Sequence, residues 1–152
     1  MDAKATNMKT RERLRKKIVA KNSPVILLAE DDDEMRALLA QALRTSGYKV
    51  EECPDGWNLL EHLGAFVLPD PIVHEEIELI VSDIQMPEVT GLNILEGVQQ
   101  TEGLPPIILI TAFGDKETHA QAEKFGAVAM FDKPFEIEAL LSKVHEMVPI
   151  LK

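Results

Sequence analysis

The sequence predicts an α/β domain: a parallel sheet with helices on both faces. Short apolar runs alternate with segments of helical period five times in succession. That order favours parallel strands joined by crossover helices. Most of the runs are largely apolar, as strands buried on both faces are. The 152 residues, 45% of them hydrophobic, suit one domain with a core of ordinary size.

Each element has its own signal. Residues 25-VILLA-29, set between Pro24 and a run of acids, read as a buried strand. In 33-DEMRALLAQALRTSG-47, Met35, Leu38, Leu39, Ala42 and Leu43 fall at helical spacing, and Gly47 stands where a helix C-cap belongs. Residues 48-YKVEEC-53 alternate and read as a second strand. Asp55-Gly56 marks a turn, and 57-WNLLEHLG-64 reads as a short helix closed by Gly64. Residues 65-AFVLPDPIVHEE-76 have two prolines and no period, so a loop is expected. A third strand, 77-IELIVS-82, leads to Asp83, and 90-TGLNILEGVQQ-100 follows as a helix with Thr90 as N-cap. Pro105 and Pro106 precede the strand 107-IILIT-111. Residues 115-DKETHAQAEKFG-126 read as a polar helix closed by Gly126, then 127-AVAMF-131 as the last strand. After the Lys133-Pro134 turn, 136-EIEALLSKVHEMV-148 is amphipathic, with Ile137, Leu140, Leu141, Val144 and Met147 on one face.

Composition narrows the classes. The lone Cys53 excludes an internal disulfide framework and cysteine metal clusters, and fits a reducing compartment. The longest charge-free stretch, Gly103 to Gly114, is too short to span a bilayer. The N-terminus has no apolar signal core. A soluble, cytoplasmic protein without membrane contact is expected. The net charge of −10 is unevenly spread: residues 1–24 hold eight Lys/Arg against two acids, leaving eight bases against 24 acids elsewhere. Residues 1–23 therefore form a basic arm, helical or flexible, and 24–150 an acidic domain. An acidic body repels nucleic acid, so nucleic-acid binding is not the expected role; binding by the arm is a minor alternative.

In an open parallel sheet, sites form beyond the carboxyl ends of the strands. After the first strand come Glu30, Asp31 and Asp32; after the third, Asp83; after the fourth, Thr111 and Ala112; after the fifth, Asp132, Lys133 and Pro134. Carboxylates brought together repel unless a cation sits among them. Oxygen ligands without nearby Cys or His select a hard ion, and Mg²⁺ is expected. A carboxylate beside Mg²⁺ and an ammonium can attack phosphorus and form an aspartyl phosphate. Metal, ammonium and hydroxyl would then share the phosphoryl oxygens.

The residues 27-LLAEDD-32, 83-DIQMPEVTG-91, 109-LITA-112 and 133-KPF-135 resemble the receiver domain of bacterial two-component response regulators, over about residues 24 to 150. The resemblance implies a flavodoxin-like (βα)5 fold with strand order 2-1-3-4-5. It implies that Asp83 is the phosphoacceptor and that Glu30, Asp31, Asp83 and the Gln85 carbonyl hold Mg²⁺. Thr111 would be the switch hydroxyl, the small Ala112 would keep the approach open, and Lys133, followed by a cis bond to Pro134, would pair with the phosphoryl group. The implied partners are a histidine kinase or histidine phosphotransfer protein and a downstream protein. Because the chain ends soon after its last helix, a stand-alone switch is expected. Such a switch is not an enzyme in the usual sense, although it assists its own phosphorylation and dephosphorylation.

One position departs from the family. An aromatic residue usually stands three before the lysine; here that place holds Met130, and Phe131 follows. A shift of one residue moves a strand side chain to the other face, so Phe131 is expected to point inward. Met130 favours a second reading, a docking module of the same fold without phosphoryl control. A third is a haloacid dehalogenase-like phosphohydrolase, which needs a second acid two residues after its nucleophile; Asp83-Ile84-Gln85 lacks it. Elsewhere plainer roles are expected: Asp32 and Asp33 as helix N-terminal acids, Cys53 as a half-buried small residue, the four histidines as surface groups, Trp57 packed on the neighbouring loop.

Overall fold

In a computed structural model the described residues are 23–67, 77–87, 89–98, 104–112 and 114–150. Along the chain they form β1 (Val25–Ala29), α1 (Asp33–Thr45), β2 (Lys49–Cys53), α2 (Gly56–Val67), β3 (Ile77–Asp83), α3 (Gly91–Val98), β4 (Ile107–Thr111), α4 (Lys116–Lys124), β5 (Ala129–Asp132) and α5 (Ile137–Met147). The strands make one parallel sheet in the order β2-β1-β3-β4-β5. This is the expected flavodoxin-like arrangement. The chain winds from β1 to one edge and then crosses to build the other, so β1 and β3 separate as they leave the sheet.

The sheet divides two apolar layers. On one face Ile26, Leu28, Val81 and Ile108 pack with Leu39 and Leu43 of α1 and Leu140 and Val144 of α5. On the other, Leu27, Ile80 and Leu109 pack with Leu59 and Leu63 of α2, Ile94 and Leu95 of α3, and Ala122 of α4. Every residue of β1 and β4 is buried, which is why those runs are apolar except for Thr111 at the end of β4. Strand β2 lies at an edge, and its alternation of polar and apolar residues fits that place.

Helix ends follow the caps. Asp32 accepts from the Met35 amide at 2.9 Å and Asp115 from the Thr118 amide at 2.7 Å. Thr90 Oγ1 accepts from the Asn93 amide at 3.1 Å, as expected of an N-cap. Gly47 and Gly126 carry φ of 105° and 97°, a conformation that favours glycine just past a helix. The Lys133-Pro134 bond is cis.

Some expectations need correction. Helix α2 does not end at Gly64 but runs on to Val67. Glycine stops a helix where its backbone turns left-handed, and Gly64 does not. Cys53 is fully buried rather than half-buried, because it faces Leu59 and Leu63. Leu38 is exposed and lies outside the buried stripe of α1, where Ala40 is buried instead. Strand β5 begins at Ala129 and includes Asp132. Trp57 is 55% exposed. The arm through residue 22, most of the expected 65–76 loop, which is the neighbour proposed for Trp57, and the end of the helix after Val98 lie outside the described residues. Among those described, no helix is long and apolar enough to cross a membrane.

Candidate functional site

Four strand ends meet at one rim. Glu30 leaves β1 with its amide bonded to the Cys53 carbonyl at 3.1 Å and its carbonyl to Arg36 Nη1 at 2.8 Å. This tether fixes the chain direction: Glu30 is buried, Asp31 exposed, and Asp32 turned away to cap α1. At the end of β3, Asp83 is only 3% exposed. Its Oδ1 accepts from the Gln85 amide at 2.7 Å. The loop beyond is held by Ile84 N to Ile110 O at 2.8 Å and Gly91 N to Ile84 O at 3.1 Å. That return brings Gly91 so close that a Cβ there would stand 2.6 Å from the Asp83 carbonyl oxygen. A residue with a side chain would push the loop off the site.

Lys133 closes the rim from β5. Its amide donates to the Thr111 carbonyl at 2.7 Å, and its Nζ donates to Asp83 Oδ2 at 2.6 Å and Glu30 Oε1 at 3.1 Å. Thr111 is buried at the end of β4, with Ala112 exposed beside it. Glu30, Asp31 and Asp83 each offer a carboxylate oxygen, all within 4.8 Å of one another. Glu30, Asp31, Asp83 and Lys133, from three separate parts of the sequence, thus come together as expected.

The electrostatics are unbalanced. Carboxylates are rarely buried without a partner. Here two buried carboxylates share one ammonium, and Glu30 Oε2 is buried without a hydrogen-bond partner. Burial first, and then the neighbouring Asp83 carboxyl, push Glu30 up to about 8, against the pull of Lys133. Burial alone would lower the Lys133 value, but its bonds to Asp83 and Glu30 outweigh burial and raise it. An unmet buried acceptor, an all-oxygen donor set and an exposed Asp31 fit a hard divalent cation such as Mg²⁺.

Other residues after the strands have different roles. Asp132 is half-exposed and pairs with His119 Nε2 at 2.9 and 3.0 Å, away from the carboxylate cluster. Gly114 makes room for that pair, since a Cβ there would collide with both side chains. Reading the histidines as plain surface groups missed such bonds: His145 Nδ1 lies 2.8 Å from the Tyr48 hydroxyl and His62 Nδ1 2.9 Å from the Asn58 carbonyl. Arg36 was also missed, although its spacing from Asp33 makes their 2.7 Å ion pair legible. Phe131 packs towards the α1 and α5 side, 5.8 Å from Phe135 between ring centroids. Met130 packs on the opposite side and pairs in register with Leu109, which shares a sheet face with Thr111. The one-residue shift therefore moves the aromatic ring off the sheet face that holds Thr111. His74 lies outside the described residues.

Comparison with known proteins agrees with this geometry. A sequence profile described as the response regulator receiver domain matches residues 26–145. The chain is 31% identical to the Regulatory protein AtoC of Escherichia coli (strain K12) over 76% of its own length but only 23% of AtoC. It is 25% identical to Sporulation initiation phosphotransferase F of Bacillus subtilis, over 82% of this chain and 94% of that one. The crystal structure of a CheY-like response regulator receiver domain protein from Methanospirillum hungatei JF-1 superposes with a TM-score of 0.70 at 25% identity, over 83% of this chain and 94% of the other. By the profile match, the strand order and these likenesses, the chain belongs to the receiver domain family of two-component response regulators.

Proposed function

We propose that the chain is a Mg²⁺-dependent switch that accepts a phosphoryl group on Asp83 from a histidine kinase or histidine phosphotransfer protein. The observation that carries this is the Lys133 bridge: one ammonium spans Asp83 and Glu30, with Asp31 exposed above them.

In the transfer, an Asp83 carboxylate oxygen attacks the phosphorus of a phosphohistidine. The new O–P bond forms as the P–N bond breaks, and the imidazole leaves and takes up a proton. Glu30, Asp31, Asp83 and the Gln85 carbonyl would hold the Mg²⁺, which when bound supplies charge neutralisation to the phosphoryl oxygens. Lys133 already touches Asp83 Oδ2, so it is placed to pair with a phosphoryl oxygen. The Thr111 hydroxyl turns towards another, and Ala112 leaves the approach open. Met130, unbranched and adaptable, shares the Thr111 face and follows the hydroxyl where an aromatic residue usually would.

Output then passes through a downstream partner, or by handing the phosphoryl group on. The chain spans 94% of a relative named a phosphotransferase but 23% of AtoC, so this domain occurs both in short relatives and within longer ones. The phosphohydrolase alternative lacks its general acid, because the side chain two residues after Asp83 is the amide Gln85. Incubation with acetyl phosphate and Mg²⁺, followed by phosphate-affinity electrophoresis, tests the proposal. A shifted band for wild type and none for Asp83→Asn is the expected result. No shifted band for wild type, or an equal one for the variant, contradicts it.

A further inference from the structure

The two flanks of edge strand β2 differ in charge. On the α1 side, Glu52 is neutralised by Arg36 at 3.6 Å and Arg44 at 3.1 Å. On the α2 side, Glu51, Asp55 and Glu61 form no ion pair with any described residue. These three act on one neighbourhood: after burial, they push the Cys53 thiol up to about 12, against Arg36. Trp57 and Glu61, four residues apart on α2, share a helix face and are both exposed. The flank thus combines three carboxylates that no described cation pairs, Asp55 also accepting from the Asn58 amide at 2.7 Å, with an exposed indole.

The chain itself carries the matching charge. Residues 9–21 hold seven Lys/Arg and one Glu, with Leu14 and Ile18 among them. Their point of exit is set: the Pro24 carbonyl accepts from the Lys49 amide at 2.9 Å, so the chain enters β1 directly beside the start of β2. Five strand residues span roughly 17 Å, and a segment as long as 9–21 covers that even at helical rise. A tethered segment faces its site at an effective concentration on the order of millimolar, so weak attraction suffices.

We propose that the basic arm docks on its own domain, along the acidic flank formed by β2 and α2, with its cations facing Glu51, Asp55, Glu61 and the Trp57 ring. The Trp57 ring adds a cation–π surface that ordinary acidic patches lack. The docked arm lies beside the site rim, because the β2–α2 turn packs on the loop after Asp83: a Cβ on Gly56 would stand 2.8 Å from Val89 Cβ. The inference rests on charge and exit geometry and stands whether or not Asp83 accepts phosphate.

Zero-length carbodiimide cross-linking of the full chain at low salt tests it, with mass spectrometry of the monomer band. The expected products join Lys16 or Lys17 to Glu51, Asp55 or Glu61. They are lost in about 0.5 M salt, where screening shortens to on the order of 4 Å. The emission of Trp57, the one tryptophan, shifts with the same salt dependence. Replacing Arg11, Arg13, Arg15, Lys16 and Lys17 with Gln abolishes that shift, and so does Glu51→Gln with Glu61→Gln, while circular dichroism stays unchanged. Arm lysines joined evenly to carboxylates all over the domain would overturn the proposal. So would cross-links confined to a dimer band, which place the arm on a second copy. A Trp57 response that survives neutralisation of the arm would also overturn it.

Discussion

Asp83 and Asp132 both end strands of one sheet, yet their surroundings have little in common. Asp83, in the middle of the sheet, is buried against an ammonium and a second carboxylate. Asp132, at the edge strand, is half-exposed and pairs with a histidine. A carboxylate at a strand end is therefore not by itself a site. Chemistry collects where neighbouring strands also end in carboxylates and burial raises the cost of every unpaired charge.

Exchanging the two acids for amides gives the largest contrast. Asp83→Asn abolishes acceptance from acetyl phosphate, whereas Asp132→Asn leaves it at the wild-type level, read by phosphate-affinity electrophoresis. Removing the cations follows. Lys133→Ala leaves Asp83 and Glu30 buried without their partner and should cost about 3 kcal/mol in urea unfolding with EDTA, part of it restored by Mg²⁺. His119→Ala breaks an exposed pair and should cost about 0.5 kcal/mol. Equal losses at the two places would break the comparison.

Proton linkage sharpens it. Glu30 is raised from 4.5 to about 8 on folding, so between those values the folded chain keeps a proton that the unfolded chain has lost. Metal-free stability should therefore be greatest at the acid end of that window and fall as pH rises to about 8. Lys133, also raised, acts in the same direction only at higher pH. Denaturation in EDTA across this range should show the slope, and Glu30→Gln should flatten it. Mg²⁺ should stabilise most at the alkaline end, where no proton need be displaced.

Two glycines give a contrast of sign. Gly91→Ala crowds the Asp83 carbonyl and should destabilise by about 2 kcal/mol. Gly64→Ala meets no described residue within 4 Å and, inside α2, should stabilise by about 0.5–1 kcal/mol. Thermal unfolding of both variants checks the signs.

These contrasts also show what a sequence makes legible. Strands β1 and β4 stand out because burial on both faces leaves little room for polar residues, Thr111 being the exception. The meeting of Glu30, Asp83 and Lys133 could be inferred because topology gathers the carboxyl ends of parallel strands at one rim. Gly64 misled because glycine marks a helix end only when its backbone turns left-handed, and sequence does not report that turn. The burial of Cys53 depends on where α2 lies across the sheet. The His119–Asp132 pair joins residues thirteen apart with no periodic signal, and only Gly114 makes the space for it. Short-range rules place elements and caps; pairings set by how elements pack stay hidden.

The most direct test is to locate the acyl phosphate. The chain is treated with acetyl phosphate and Mg²⁺, reduced with borohydride and sequenced by mass spectrometry. The rim described above predicts modification at Asp83 alone, dependent on Mg²⁺, with Glu30, Asp31 and Asp132 untouched. Modification at any of those three, or equal labelling of Asp83 in EDTA, would contradict it.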